Sequence, residues 1–290
     1  MSQSPKILIT GATGTIGTEL IKYLSEKGIY FRAMVRSIEK AKDLATIPGI
    51  ELIEGDFDNS ASIEHALKGI DKAFLLTNSS EKAEQQQSTF VKIAKQAGVK
   101  HIVKLSQWAA DVNSHVRFLR YHAVVENLIK ESGIVYTFLR PNLFMQGLLG
   151  FRDTIIKQNQ FFGAIGDAKI SIIDIRDIAA VAGEVLTGPG HEGKIYNLTG
   201  PESLTHRAMA EKLSAAVGRK IQFVDISPET LQNILLSVGF PIWQAEGLVE
   251  DYAHYKLGEA SEVQSGVKDA IGLEPRSFDV FAKDYAFLFK

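Results

Sequence analysis

Cysteine is absent from the 290-residue sequence, which removes disulfides, thiolate nucleophiles and thiolate metal sites from its chemistry. A strong charge of either sign is also missing: 32 Lys and Arg stand against 34 Asp and Glu, a formal net charge of -2. No global field draws the chain to nucleic acid or to an anionic membrane, so neither is expected as a partner. No run approaches the ~18 uninterrupted apolar residues of a membrane span, and MSQSPKILITG does not have the form of a secretory leader. Cytoplasmic location is the expectation. His65, His101, His115, His191, His206 and His254 form no H-x-x-x-H or H-E-x-x-H group, and no metal is expected. Serine and histidine occur without a nucleophile-elbow context, so a hydrolase is not supported.

What remains is a chain rich enough in hydrophobic residues, 45%, to bury a core and with 23% charged residues to stay in solution. Short β-rich runs alternate with helical patterns in the first half, the signature of βαβ units around a parallel sheet. Strands are predicted at 7–10, 30–36, 50–55, 72–77, 101–106 and 135–140, with helices near 15–27, 60–68, 83–97 and 116–132. The fold class is α/β, a doubly wound parallel Rossmann sheet with a smaller C-terminal α/β substrate domain. Residues 1–150 are assigned to the first and 151–290 to the second, with about 190–200 returning to the first sheet. From Pro141 to about 170 a loop-helix-loop excursion is expected. Then come a strand at KISIID (169–174), a helix over 175–187, a strand at KIYNLTG (194–200), and a helix from the N-cap Thr205 to Val217. IQFVDI is read as a strand and the remainder as mostly helix.

The stretch TGATGTIG (10–17) follows the apolar run Ile7-Leu8-Ile9 and opens the first helix. In that context Gly11 permits a tight turn, Gly14 lets backbone approach a pyrophosphate, and Gly17 lets helix pack on strand. The backbone of Gly11, Thr13, Gly14, Thr15, Ile16 and Gly17 then presents N–H groups and the positive helix end to phosphate. At the end of the second strand, where a carboxylate would hold the ribose hydroxyls of NAD, the sequence has Arg36, with Lys40 one turn on. A guanidinium binds a 2'-phosphate with paired hydrogen bonds, so NADP(H) is the expected cofactor. Leu75, Leu76 and Thr77 end the fourth strand and are expected beside the ribose.

TGATGTIG, MVRS (34–37), EGDFDN (54–59), AGVKHIVKLS (97–106), SGIVYTFLRPNLFMQ (132–146) and GHEGKIYNLTG (190–200) together resemble the NmrA-like branch of the atypical short-chain dehydrogenases/reductases. Within that branch they are similar to bacterial NADPH-dependent quinone oxidoreductases and triphenylmethane reductases. The resemblance implies that Asp56 and Phe57 flank the adenine, and that the loop Pro141, Asn142, Phe144 touches the nicotinamide, with Asn142 as its polar contact. It implies His122 and Glu126 where the superfamily carries its Tyr-x-x-x-Lys pair, because Tyr121 is followed four residues later by Val125. Glu126 then orients or charges the His122 imidazole, or the two form only a surface pair. Ser106 either touches substrate or caps the next turn. Gln107, Trp108, Phe144 and Met145 are the expected acceptor-binding residues, with Phe144 and Met145 as core the competing reading. Two functions stay open: an NADPH-dependent reductase passing hydride to a quinone or similar planar electrophile, and a non-catalytic NADP(H)-binding redox sensor. Both a homodimer and a monomer are compatible with the sequence.

Overall fold

In the computed structural model, which describes residues 6–290, the alternation of short apolar runs and amphipathic helices becomes one layered sheet. Part of the N-terminal stretch read above as lacking a leader lies outside the described residues. The first half runs β1 (Ile7–Ile9), α1 (Thr15–Glu26), β2 (Phe31–Val35), β3 (Ile50–Glu54), α2 (Ser60–Leu67), β4 (Lys72–Leu75), α3 (Ala83–Gln96), β5 (His101–Leu105), α4 (Arg117–Ser132) and β6 (Val135–Pro141). The second half adds α5 (Arg152–Gln158), β7 (Gln160–Gly163), β8 (Lys169–Ile170), α6 (Ile175–Thr187) and β9 (Lys194–Leu198). After these come β10 (Leu204–Thr205), α7 (His206–Val217), β11 (Gln222–Asp225), α8 (Pro228–Ser237), α9 (Ile242–Lys256), α10 (Gly266–Ile271) and α11 (Phe278–Tyr285).

The main sheet has seven strands in the order β3-β2-β1-β4-β5-β6-β9, all parallel. Strand order reverses between β1 and β4, which opens a crevice at the carboxyl ends of the strands. Period-two alternation fills both faces. Ile7, Ile9, Phe74 and Val103 face the layer of α1 and α6, and Leu8, Ala73, Leu75 and Ile102 face α2, α3 and α4. Helix α1 packs closely because Gly17 has no side chain: a Cβ there would stand 2.1 Å from the Gly11 carbonyl oxygen.

A second core gathers Met145, Ile155, Phe161, Leu213, Phe223, Phe278 and Phe289 around the parallel pair β7–β11 and helices α7 and α11. The residues beyond 150 divide between the two cores: α6, β9 and part of α10 pack with the seven-stranded sheet. The loop-helix-loop expected after Pro141 is a 3-10 turn over Met145–Phe151, then α5 and then the strand β7. The strand expected over 169–174 is only two residues long, paired with β10. Past Ile170 the chain bonds elsewhere, with Ser171 N donating to Ala260 O at 3.0 Å, and Asp174 turns to cap α6 by accepting from Arg176 N.

Helix α9 is the element that completes the crevice. Arg117, at the first turn of α4, forks onto Glu250 (2.6 Å) and Glu246 (2.9 Å) of α9. Trp243 and Leu248 pack on Phe118 and Tyr121, and a Cβ at Gly247 would meet the Phe118 ring at 2.3 Å. No helix among the described residues is long and apolar enough to cross a membrane.

Candidate functional site: a crevice across the strand ends

A single cavity of about 890 Å³ runs from the glycine turn to α9. At one end lies the turn after β1. Gly11 has φ +64°, a conformation open to glycine, and its carbonyl accepts from Gly14 N at 3.0 Å. Gly14 is the N-cap of α1, so no side chain caps this helix; the starts of α3, α4, α5, α9 and α10 are also without a side-chain cap, but it is the first turn of α1, Gly14 to Ile16, that lines the crevice at the glycine turn. The first-turn N–H groups of α1 therefore face the crevice, a ready anion site. The Thr10 hydroxyl accepts from Leu76 N (2.9 Å) and has Phe74 O (2.9 Å) and Leu76 O (3.0 Å) as acceptors for its one hydrogen, tying the ends of β1 and β4 together beneath it.

Thr13, Thr15, Ile16, Arg36, Asp56, Phe57, Leu76 and Thr77 all line this cavity, and Gly17 and Lys40 do not. Gly17 acts from behind, through the helix packing already described. Lys40 is exposed and away from the crevice. Arg36 is exposed at the cavity edge and makes no ion pair or hydrogen bond among the described residues. Leu75 corrects the expectation for β4: it is fully buried and faces α2 and α3, because strand alternation sends Leu76, not Leu75, to the ligand side. Phe57 packs obliquely on Phe90, 5.7 Å between centroids, which fixes one wall of the crevice at this end.

The other end is built on β5, α4 and β6. Ser106 follows β5 and donates to Glu126 Oε1 at 2.5 Å. Arg140 holds the same carboxylate with two bonds, 2.9 and 2.5 Å. Glu126 is 1% exposed, so its charge is balanced by this fork and not by His122, as had been expected. His122 instead meets Lys104, whose Nζ lies 2.8 Å from Nδ1. Lys104 is fully buried, and burial pushes it down from 10.5 to about 7. Burial first, and then the charges of Lys104 and Arg140, hold His122 well below its ordinary range, so the imidazole is neutral at neutral pH. While Lys104 keeps its proton it has only donors, so Nδ1 accepts and Nε2 carries the hydrogen. The Tyr121 hydroxyl is 3.0 Å from Ser79 Oγ.

Two further expectations are corrected. Asn142 lines the cavity, but its amide donates to Ser171 Oγ and Ala260 O, both at 2.9 Å, and its Oδ1 accepts from Leu143 N. Its side chain is thus occupied in joining β6 to the 260 loop. Met145 is buried in the second core and does not reach the crevice. Trp108 lines the crevice and is 9% exposed, with its indole N–H donating to Glu259 O at 2.9 Å. Gln107, Pro141 and Phe144 line the cavity as expected.

Helix α9 brings residues with no signal in the sequence: Gln244, Leu248, Asp251, His254 and Tyr255. Asp251 is 5% exposed, and Gln107 Nε2 donates to its two oxygens at 3.1 and 3.0 Å. Burial pushes this carboxyl up to about 7. In the sequence it sits among Glu246, Glu250 and His254 and reads as a solvated helix face.

An uncapped helix start behind a three-glycine turn, a cation at the end of β2 and an open strand-order reversal define a dinucleotide-binding protein of the Rossmann type. The chain belongs to the NmrA-like family, whose profile matches residues 3–281. It is 36% identical over 283 residues to an NAD(P)H azoreductase of Xenophilus azovorans, covering 98% of this chain and 99% of that one. Its structure is similar to the NADPH-dependent quinone oxidoreductase QOR2 of Escherichia coli complexed with NADPH, with a TM-score of 0.86, 30% identity, and 96% and 99% of the two chains covered. It is also similar to the triphenylmethane reductase of Citrobacter sp. complexed with NADP(H), with a TM-score of 0.84, 29% identity, and 97% and 99% covered.

Proposed function

We propose that the protein is an NADP(H)-dependent reductase that passes hydride to a quinone or a similar planar electrophile, an azo compound included. The observation that carries this reading is the continuity of the crevice. One cavity joins the uncapped start of α1 and the unpaired Arg36 to a pocket walled by Trp108, Tyr121, Phe144, Leu248 and Tyr255. The names of the azoreductase and quinone oxidoreductase relatives agree with it.

The residues present fit the cofactor. Gly11, Gly14 and the first turn of α1 receive the pyrophosphate, Arg36 the 2'-phosphate, and Leu76, Thr77, Pro141 and Phe144 the nucleoside halves. Bound there, NADPH supplies hydride. The chain's own work is to orient both reactants and exclude water between them. Ser106 donates its hydroxyl hydrogen bond to Glu126, so its oxygen is left as an acceptor toward the crevice. His122, neutral with Nε2–H directed away from Lys104, is a donor for developing negative charge on the acceptor. Residues 151–290, chiefly through α9, supply the acceptor side of the pocket.

The test is to mix protein and NADPH with a panel of quinones, azo compounds and cationic dyes and to follow loss of reduced nicotinamide absorbance. Turnover with planar acceptors is expected. Tight NADPH binding without turnover on any acceptor would overturn the reading in favour of a sensor of the NADP(H) state.

A further inference from the structure

The buried carboxyl on α9 has no structural duty that requires an acid. Asp251 lines the crevice and is 5% exposed, and no Lys or Arg pairs with it among the described residues. Its neighbours Glu246 and Glu250 are both consumed by Arg117. Its hydrogen-bond donors are the Gln107 amide, at 3.1 and 3.0 Å, and the Tyr255 hydroxyl of its own helix. Gln107 directly follows Ser106, at the end of β5, so the amide ties the carboxyl over the strand end where the acceptor lies on the reading above. A carboxyl buried without a cation is costly as an anion and is retained where its proton is used.

We propose that Asp251 is the proton donor to the acceptor, delivering its carboxyl hydrogen to the atom that becomes anionic when hydride adds. The proposal rests on the reductase reading. Hydride addition, with two electrons drawn from NADPH, leaves an anion on the acceptor's nitrogen or oxygen. The Asp251 O–H bond breaks, the new N–H or O–H bond forms, and the electron pair stays on the carboxylate, which Gln107 N–H stabilises. Solvent at the crevice mouth returns the proton.

The groups facing Asp251 agree with an acid that holds its proton part of the time near pH 7. Tyr252 and Tyr255 of its own helix and Tyr121 of α4 all lie close enough to feel its charge, and burial with that charge raises all three above the ordinary phenol. Glu250 adds a second negative charge beside it. The Asp251 carboxyl, pushed up to about 7, is the readiest acid among them.

The experiment compares wild type, Asp251→Asn and Asp251→Glu on two kinds of acceptor. A neutral azo compound needs a proton after hydride addition. A cationic triarylmethyl dye becomes neutral on taking hydride and needs none. Asp251→Asn is expected to lower kcat on the azo compound on the order of 100-fold and on the dye by less than about twofold, with Asp251→Glu recovering part of the azo rate. A second readout avoids turnover: infrared pH titration of the cofactor-free protein should show a carboxyl band with a midpoint near 7 in wild type that Asp251→Asn lacks. Equal losses on both acceptors, or no such band, would overturn the role of Asp251 and leave the reductase reading standing. Absence of turnover with every acceptor would overturn both.

Discussion

Lys104 Nζ lies 2.8 Å from His122 Nδ1, with Lys104 wholly buried and His122 nearly so. A strand lysine thus stands under the helix position that resemblance assigns to a catalytic side chain. Burial lowers Lys104 from 10.5 to about 7. Between these values the unfolded chain holds a proton that the folded chain has given up, so from this residue stability rises with pH across that window. Below about pH 7 the burial cost of the charge is present in full. Lys104→Met, which removes the charge, should gain stability relative to wild type most at pH 6 and least at pH 10. Urea midpoints of both proteins at the two pH values check this, and a difference that does not change with pH would refute it. The same variant leaves Nδ1 of His122 without its donor, and a fall in kcat of roughly tenfold is expected from the loss of one oriented hydrogen bond.

Glu126 is held from two directions, by the Arg140 fork and by the Ser106 hydroxyl. Removing it leaves a guanidinium that is only 20% exposed without its counter-charge. Glu126→Ala should therefore destabilise by about 3 kcal/mol, while Glu126→Gln, which keeps an acceptor for Ser106, should cost less. Chemical denaturation ranks the two; equal stability of Glu126→Ala and wild type would show that the fork contributes nothing.

Much of the fold is legible in the sequence, and the reasons are local. The strand ends at β1, β4 and β5 carry apolar runs of the right length, Gly28 and Gly218 stop their helices in left-handed turns, and the glycine spacing of TGATGTIG marks the tight turn at Gly11 and the close packing of α1 at Gly17. What was missed depends on distance along the chain. Asn142 resembles a cofactor contact, but a loop more than a hundred residues away, at Ala260, claims its amide. Glu126 has a histidine four residues before it on the same helix, yet Arg140 on the neighbouring strand offers two charged hydrogen bonds and wins. Asp251 was invisible because the apolar residues of α9 do not gather on one face, so nothing in its spacing marks which side is buried.

Gly14 and Gly17 should separate binding from folding. At Gly17 a Cβ meets backbone at 2.1 Å, so Gly17→Ala must move α1 and is expected to cost at least about 2 kcal/mol of stability. At Gly14 a Cβ meets only the Gly11 carbonyl, at 3.3 Å, and otherwise projects toward the crevice. Gly14→Ala should fold with little loss and bind NADPH about tenfold more weakly, because the methyl stands where backbone must approach phosphate. Thermal melts with and without NADPH check both, and full NADPH stabilisation of Gly14→Ala would place the phosphates elsewhere.

Arg36 is unpaired within the described chain and exposed at the cavity edge, so its charge is available to a ligand and its loss should not disturb the fold. A hydrogen bond to a charged group contributes ~1.5 to 3 kcal/mol. Arg36→Ala should therefore weaken NADPH by roughly 10- to 100-fold and leave NADH nearly unchanged. Arg36→Glu should weaken NADPH further, since like charges then meet, and could accept hydrogen bonds from the ribose hydroxyls of NADH. Calorimetric titration of both nucleotides against the three proteins reads this directly. Parallel losses for NADPH and NADH would mean that the guanidinium only supports the loop after β2, and that selection of the phosphorylated nucleotide lies with another residue.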